Sequence, residues 1–220
     1  MNFTSAIFDI DGLLIDSEPL WNEAAAEVFA QYGIRLSPAQ YATTTGLRTP
    51  EFVSWWFSYF GIDSKKAAEA EEEIVARVLR KIAEKATVMP GVKYIFEFLS
   101  AKSLSIGLAT SSPPALIELA IEMTGIGQYL QATSSAEGLP YGKPHPQVYL
   151  NCAEKLGADP VQCLCFEDSY NGMIAVKAAR MTCVVVPHAK QLKHEKWGAA
   201  DLKLSSLQNF SQLHFDLLQS

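Results

Sequence analysis

Two aspartates, Asp9 and Asp11, stand two residues apart at the end of a short apolar run near the start of the chain. In a β-strand, residues i and i+2 share a face, so both carboxyl groups would point into the same space. Two carboxylates this close repel each other unless a cation or a proton relieves the repulsion. Because oxygen-only ligands favour Mg²⁺ over zinc, the pair predicts a magnesium site that also contains a nucleophile. An Asp-rich turn that caps the next helix is the alternative interpretation.

Hydroxyl groups end a second apolar run, at Thr110 and Ser111, and two prolines follow it. Proline favours the first turn of a helix, and the N-terminal end of a helix attracts anions. These hydroxyl and backbone N–H groups could therefore hold a phosphate. Taken alone, the segment is more typical of an ordinary Ser/Thr helix cap.

A lysine in a stiff segment could supply positive charge to such a site. Lys143 lies between Gly142 and Pro144, just before a helical pattern over residues 147–156. Such a lysine can neutralise a phosphate and a carboxylate together, although most lysines are simply solvated. His145 is interpreted as a structural loop residue.

A third apolar run ends in two adjacent acids, Glu167 and Asp168. A turn and a helix that begins near Asn171 follow them. The two carboxylates could complete a metal site, and helix capping is again the alternative. For Ser169, capping and support of the site fit the sequence equally well.

Together these segments resemble the four motifs of the haloacid dehalogenase (HAD) superfamily. The resemblance covers nearly the whole chain, and four motifs in order are far more specific than any one of them. It implies a phosphatase. The residues that match the motifs, in chain order, are Asp9 with Asp11, Thr110, Lys143, and Glu167 with Asp168.

The resemblance implies a catalytic role for each of these positions. Asp9 would be the nucleophile that attacks phosphorus in line and forms an aspartyl-phosphate. Asp11 would protonate the leaving oxygen and then activate the water that hydrolyses the intermediate. Thr110 and the Ser111 amide would hold phosphoryl oxygens, and Lys143 would stabilise charge in the transition state.

Mg²⁺ is the cofactor that the resemblance implies. The ion would lie between Asp9, the backbone carbonyl of Asp11 and Asp168, with Glu167 binding it directly or through water. Its charge would shield Asp9 from the incoming phosphate dianion.

The segments that carry these residues must be positioned by one sheet. From Val92 onward, helical patterns alternate with short apolar runs at residues 106–109, 164–166 and 183–186. This alternation predicts an α/β fold with a parallel, Rossmann-like sheet and right-handed crossovers. The loops at the carboxyl ends of such strands form the pocket, and the candidate residues all fall at such ends. A last strand and helix are predicted over residues 202–218.

Between residues 16 and 89 the sequence predicts three helical stretches. The first runs from after Glu18 to a stop at Gly33, the second holds residues 55–59, and the third is charged and runs from about Ser64 to Lys85. On the resemblance, residues 16–89 form a helical cap that is inserted into an α/β core of residues 1–15 and 90–220. A cap that closes over a small substrate excludes water, which would otherwise compete with any phosphoryl acceptor.

Three residues of this cap are candidates for substrate binding. Gly46 permits a close approach and Arg48 could contact a hydroxyl or phosphate group, although an exposed helix-capping loop explains the segment equally well. Glu18 would lie at the junction of cap and core and could touch a sugar. Trp21 could do the same, but it is better explained as a packed core residue.

Composition excludes several other classes of protein. The chain has 220 residues, of which 49% are hydrophobic, so it can bury a sizeable core. The formal net charge is −6 and no basic run stands out, which argues against nucleic-acid binding. The first apolar run is too short for a signal peptide or a membrane span. We expect a cytoplasmic monomer whose four cysteines are reduced.

Within the family, residues 11–21 and 142–150 are most similar to bacterial hexitol phosphatases and 2-deoxyglucose-6-phosphate phosphatases. The expected activity is hydrolysis of small hexose or hexitol phosphates, such as 2-deoxyglucose 6-phosphate. A mutase of the β-phosphoglucomutase type has the same motifs and is the alternative. There a cap arginine grips the distal phosphate, and Arg48 lies near the matching place. A non-catalytic module that binds phosphorylated ligands is a third possibility.

Overall fold

A six-stranded parallel sheet forms the centre of the protein. The computed structural model describes residues 2–220. Its strands are β1 (Ser5–Phe8), β2 (Ser105–Thr110), β3 (Leu130–Ser135), β4 (Cys163–Glu167), β5 (Thr182–Val185) and β6 (Leu202–Lys203). They lie in the order β3-β2-β1-β4-β5-β6, and every neighbouring pair is parallel. The predicted α/β fold is confirmed.

The central strands are buried on both faces, as short continuous apolar runs predict for a parallel sheet. Every residue of β1 and β4 is buried. Phe8 pairs with Leu108 on one side and with Phe166 on the other, and the rings of Phe8 and Phe166 stack 4.5 Å apart. This register places the ends of β1, β2 and β4 side by side.

Helices cover the two faces of the sheet. Successive residues of β1 point to opposite faces, so Ile7 belongs to one hydrophobic cluster and Phe8 to the other. The helices are α5 (Val92–Ser100), α6 (Pro114–Thr124), α7 (Gln147–Lys155), α8 (Tyr170–Ala178) and α9 (Gln212–Gln219). Buried residues of α5, α6 and α9 pack with Phe8, and those of α7 and α8 pack with Ile7.

Four further helices lie between β1 and α5. They are α1 (Glu18–Ala30), α2 (Pro38–Thr44), α3 (Thr49–Phe60) and α4 (Ala67–Lys85). We call residues 16–89 the helical insert. It has a hydrophobic cluster of its own, built around Phe29, Trp56 and Phe57. This separate cluster supports the division into cap and core, whose boundaries remain a prediction.

Strand β3 was not predicted from the sequence. It lies at an edge of the sheet, and the polar residues Gln131, Thr133, Ser134 and Ser135 leave it without the continuous apolar run that marks the central strands. Pairing with β2 gives these residues their extended conformation. In the part of the chain that the structure describes, no helix has the length and apolar content that a membrane crossing requires.

Candidate active site

The carboxyl ends of three neighbouring strands enclose a cavity that the helical insert covers. Asp9 follows β1, Thr110 ends β2, and Glu167 ends β4. Because β1 lies between the other two strands, side chains more than 150 residues apart in sequence become neighbours. The predicted site residues that line this cavity are Asp9, Asp11, Glu18, Gly46, Thr110, Ser111, Lys143 and Asp168.

Lys143 is the buried cation of this site, with only 1% of its side chain exposed. Its Nζ lies 2.7 Å from Asp9 Oδ1 and 2.7 Å from Glu167 Oε1, and it donates a third hydrogen bond to the Ala109 carbonyl at 3.2 Å. Burial alone would lower the pKa of Lys143, but the two carboxylates outweigh it and raise the pKa above its usual value. The lysine therefore stays charged at neutral pH.

Glu167 is fully engaged by the protein. Its Oε1 accepts hydrogen bonds from Lys143 and from the Tyr149 hydroxyl at 2.6 Å. Its Oε2 accepts the backbone N–H groups of Asp168 and Ser169 and the Ser169 hydroxyl, each at 3.0 Å. With both oxygens occupied, the carboxylate is placed to orient Lys143 and the loop after β4. Its predicted role as a direct metal ligand would require some of these bonds to be exchanged.

The carboxylates of Asp9 and Asp168 have oxygens that accept no hydrogen bond from residues 2–220. Asp9 accepts one hydrogen bond, from Lys143, and the Asp168 carboxylate accepts none from residues 2–220. Ligand atoms of Asp9, Glu167 and Asp168 lie within 4.8 Å of one another. Burial raises the pKa of Asp9 to about 7, against the pull of Lys143, and burial with the charges of Glu167 and Asp9 raises that of Asp168 well above its usual range. Two crowded, buried carboxylates of this kind fit a hard divalent cation.

A glycine makes this carboxylate arrangement possible. Gly12 has a φ of 71°, in the left-handed region that favours glycine. A Cβ atom at this position would lie 2.2 Å from Asp168 Oδ2. Any larger residue would therefore displace the Asp168 carboxylate from this position.

Three neutral donors hold the carboxylate of Asp11. Ser17 Oγ and Trp21 Nε1 donate to its Oδ1 at 2.6 and 2.7 Å, and Ser112 Oγ donates to its Oδ2 at 2.5 Å. Ser112 was not among the predicted site residues. Trp21 packs against the hydrophobic clusters, as predicted, and its indole N–H also orients the group that the family resemblance assigns to proton transfer.

The hydroxyl segment after β2 joins the core to the helical insert. Thr110 Oγ1 accepts the backbone N–H of Ser112 at 3.1 Å, and Ser111 Oγ donates to the Gly46 carbonyl at 2.8 Å. Gly46 has a φ of 85°, and a Cβ there would lie 2.5 Å from Ser169 Oγ. The close approach expected of Gly46 is thus toward the protein core. Glu18 accepts a hydrogen bond from Thr45 at 3.3 Å.

Arg48 is not among the residues that line the cavity, although substrate contact is one of the two interpretations that the sequence leaves open for it. Its guanidinium is turned toward the core loop that follows β3, where it donates to the carbonyl oxygens of Ala136 and Leu139. Substrate binding by Arg48 therefore stays a prediction that this conformation does not support, and its place at the N-cap of α3 agrees with the capping alternative. The physical reason is that backbone carbonyls and Glu51 already occupy the donors on its two Nη atoms.

The wall of the cavity that the insert contributes carries no cation. Among the described residues that line the cavity, Lys143 is the single basic side chain. The insert contributes the apolar or aromatic residues Trp21, Ala25, Tyr41, Leu47, Phe52 and Ile74, and the uncharged polar residues Asn22, Thr44, Thr45 and Thr49. Apart from Glu18, this wall offers a neutral surface to whatever group lies beyond the carboxylates.

Comparison with known proteins shows which family the chain belongs to. A family model described as haloacid dehalogenase-like hydrolase matches residues 4–180. The chain is 43% identical over 204 residues to hexitol phosphatase B of Escherichia coli K12, covering 92% of both chains. It is 28% identical to the fructose-1-phosphate phosphatase of the same organism, covering 84% of this chain and 96% of that protein.

Solved structures agree on the fold. A crystal structure of β-phosphoglucomutase from Clostridium difficile superposes with a TM-score of 0.87 at 21% identity, covering 98% of this chain and 96% of that one. At this identity the match speaks for the fold alone. The chain belongs to the haloacid dehalogenase-like hydrolase family, as its four motifs predicted, and it is a phosphatase.

Proposed function

We propose that the protein hydrolyses phosphate monoesters of small sugars or sugar alcohols, with Mg²⁺ as cofactor and an aspartyl-phosphate on Asp9 as intermediate. One observation carries the proposal. The Asp9 carboxylate is held at one oxygen by Lys143 and faces the cavity beside the Asp168 carboxylate, which accepts no hydrogen bond from residues 2–220. A nucleophile, a fixed cation and a candidate metal ligand therefore converge on one point.

In the first step, Asp9 would act as the nucleophile and Lys143 as the cation that supports it. The free oxygen of Asp9 would form a bond to phosphorus as the bond from phosphorus to the leaving sugar oxygen breaks. Lys143 holds the other oxygen of Asp9 and keeps the nucleophile aimed, and its charge stabilises the phosphoryl oxygens. Thr110 and Ser111, at the end of β2, lie in the cavity wall where those oxygens would be held.

Asp11 would carry the proton in both steps. It gives a proton to the leaving oxygen, and in the second step it takes one from the water that attacks the phosphorus of the intermediate and releases Asp9. Ser17, Trp21 and Ser112 orient its carboxylate through hydrogen bonds. Proton donation requires Asp11 to exchange one of these donors for the leaving oxygen.

The residues present fit a magnesium ion. Asp9, Asp168 and the backbone carbonyl of Asp11 would hold it, with Glu167 in support. When bound, the ion would supply positive charge that offsets the repulsion between the phosphate and the carboxylates.

Two observations support a small, singly phosphorylated substrate. Hexitol phosphatase B is the relative at 43% identity. The insert side of the cavity offers aromatic faces and neutral hydrogen-bonding groups, which suit a sugar or sugar alcohol, and no cation for a second phosphate. A mutase must hold the second phosphate of its bisphosphate intermediate, and Arg48 is turned away from the place where it would do so.

The experiment that tests the function is a measurement of phosphate release from a panel of hexose and hexitol phosphates, with Mg²⁺ and with EDTA. We expect metal-dependent release from monophosphates, with 2-deoxyglucose 6-phosphate and hexitol phosphates among the best substrates. β-Glucose 1-phosphate serves as the test of the alternative. Accumulation of glucose 6-phosphate with little free phosphate would contradict the proposal and favour a mutase.

The affinity for Mg²⁺ should depend on pH. The ion binds ionised carboxylates, and the pKa of Asp9 is raised to about 7 by burial in the metal-free protein. Below that pH the ion must displace a proton, so we expect its affinity to fall, by up to about tenfold per pH unit for one proton released. Titration calorimetry at pH 6 and pH 8 would measure the affinity for Mg²⁺. Repeating it in buffers of different ionisation enthalpy would measure the number of protons released on binding. Equal affinity at the two pH values would contradict the prediction.

A further inference from the structure

We propose that Arg48 and Glu51, at the N-terminal end of α3, are positioning residues for Lys143. Together they hold the core loop of residues 136–142, which immediately precedes that lysine, while the helical insert contacts the core. We call this pair the latch. The inference rests on the proposed function, since Lys143 matters here as the lysine of a phosphatase.

Arg48 reaches across from the insert to a row of backbone carbonyls in the core. Its Nη1 donates to Leu139 O at 2.5 Å and to Ala136 O at 3.2 Å, and its Nη2 lies 3.5 Å from Pro140 O. The planar fork of a guanidinium can serve several acceptors at once, which the single ammonium of a lysine cannot do in the same geometry.

Glu51 completes the contact one residue before Lys143. Its Oε1 pairs with Arg48 Nη2 at 2.6 Å and accepts the backbone N–H of Gly142 at 2.9 Å. A Cβ atom on Gly142 would lie 2.5 Å from Glu51 Oε2 and 2.7 Å from Arg48 Nε, so the glycine allows this approach. The latch therefore fixes the backbone immediately before the lysine.

Burial distinguishes Arg48 from the arginine of an ordinary surface ion pair, although Glu51 keeps 31% of its side chain exposed. Only 11% of the Arg48 side chain is exposed, and its Nε is the single buried side-chain nitrogen or oxygen without a hydrogen-bond partner among residues 2–220. An unpaired buried polar atom is unfavourable, so the carbonyl contacts must outweigh it. By contrast, Arg77 pairs with Glu73 within the insert and keeps 29% of its side chain exposed.

The latch is one of three contacts between the segment 45–48 and the catalytic loops of the core. Ser111 donates to Gly46 O beside the phosphate-binding hydroxyls, and Asn171 donates to Thr45 O at the start of the helix after Asp168. All three contacts join insert to core, so they exist only where the two are apposed. Lys143 must meet three acceptors at 2.7 to 3.2 Å, and a shift of its backbone would disturb all of them.

The kinetic test uses the variants Arg48→Met, Arg48→Lys and Glu51→Ala, with Arg77→Met as a matched control. On the sugar phosphate that the unaltered protein hydrolyses best, we expect kcat to fall about 10- to 100-fold in the three latch variants, because small misplacements of catalytic groups have effects of this size. KM should change little, Arg48→Lys should not restore kcat, and Arg77→Met should match the unaltered protein.

A second readout follows the loop directly and needs no activity. Hydrogen exchange of the peptide that spans residues 136–143 should become faster in Arg48→Met and Glu51→Ala, with the Gly142 amide affected most. In these two variants, hydrogen exchange in α4 should be unchanged. In the control Arg77→Met, exchange of residues 136–143 should match that of the unaltered protein.

The outcomes separate this inference from the proposed function. A raised KM with unchanged kcat, restored by Arg48→Lys, would show that Arg48 binds substrate and would overturn the latch. Unchanged kinetics and unchanged exchange at residues 136–143 would also overturn it. Absence of phosphate release from the unaltered protein would refute the proposed function instead, and the exchange measurement would still decide whether the latch holds the loop.

Discussion

Replacing Asp9 by asparagine is expected to lower phosphate release by about 10⁴- to 10⁶-fold, the size of effect seen when an enzyme loses its nucleophile. Asparagine has nearly the same shape, so it leaves the cavity intact, but its amide is a poor nucleophile toward phosphorus. The variant should remain folded, because a neutral group at this position avoids the cost of burying a charge, which is the main cause that raises the pKa of Asp9 to about 7.

Asp16→Asn is the matched control, since it makes the same chemical change at an exposed position seven residues away. It should retain the kinetics of the unaltered protein. The two variants would be compared by single-turnover release of phosphate and by urea denaturation. Turnover in Asp9→Asn within tenfold of the control would place the nucleophile elsewhere.

Replacing Lys143 by methionine should damage both catalysis and stability. We expect kcat to fall about 10²- to 10³-fold, as on removal of a single group that stabilises transition-state charge. The free energy of unfolding should fall by about 3 to 5 kcal/mol, because the change leaves Asp9 and Glu167 buried without their shared cation.

The pH dependence of this loss has a definite sign. Lys143 lowers the pKa of Asp9, so without it that pKa rises further above the value of the unfolded chain. The folded variant then binds more protons than the unfolded one, and its stability should increase as the pH falls below 7. Urea denaturation at pH 6 and pH 8 without Mg²⁺ would measure the free energy of unfolding of Lys143→Met and of the unaltered protein. A larger loss of stability in the variant at pH 6 than at pH 8 would contradict the prediction.

Lys177→Met is the control for the lysine experiment. Lys177 pairs with Asp201 at 2.6 Å, a distance similar to those of Lys143, but both side chains are about one third exposed. An exposed pair contributes at most about 1 kcal/mol. The control should therefore unfold close to the unaltered protein at both pH values.

Much of the fold could be predicted because its signals are local. The apolar runs that became β1, β2 and β4 are short, continuous and bounded by turn residues, and Gly33 and Pro90 mark ends of helical stretches. Strand β3 was missed because its Thr and Ser residues become a strand only by pairing with β2. That pairing is a long-range contact, which no local pattern reports.

The candidate site divides in the same way. Asp9, Lys143 and Asp168 were predicted because each belongs to a short motif that can be recognised in the sequence. Their catalytic and metal-binding roles remain predictions. The partners that orient them were missed. Tyr149 reads as one more apolar position of α7, and nothing near Trp21 indicates a bond to Asp11. The direction in which Arg48 points depends on a loop almost 90 residues away.

The central position of β1 has a consequence for synthesis. This strand is made first, but its two partners end at residues 110 and 167. At about 5 to 20 residues per second, the second partner follows roughly 8 to 30 s later. Throughout that interval the growing chain carries an apolar strand with an open edge, and the carboxylates of Asp9 and Asp168 have not yet met. Until β4 has left the ribosome, the emerging polypeptide can neither assemble the proposed metal site nor turn over substrate.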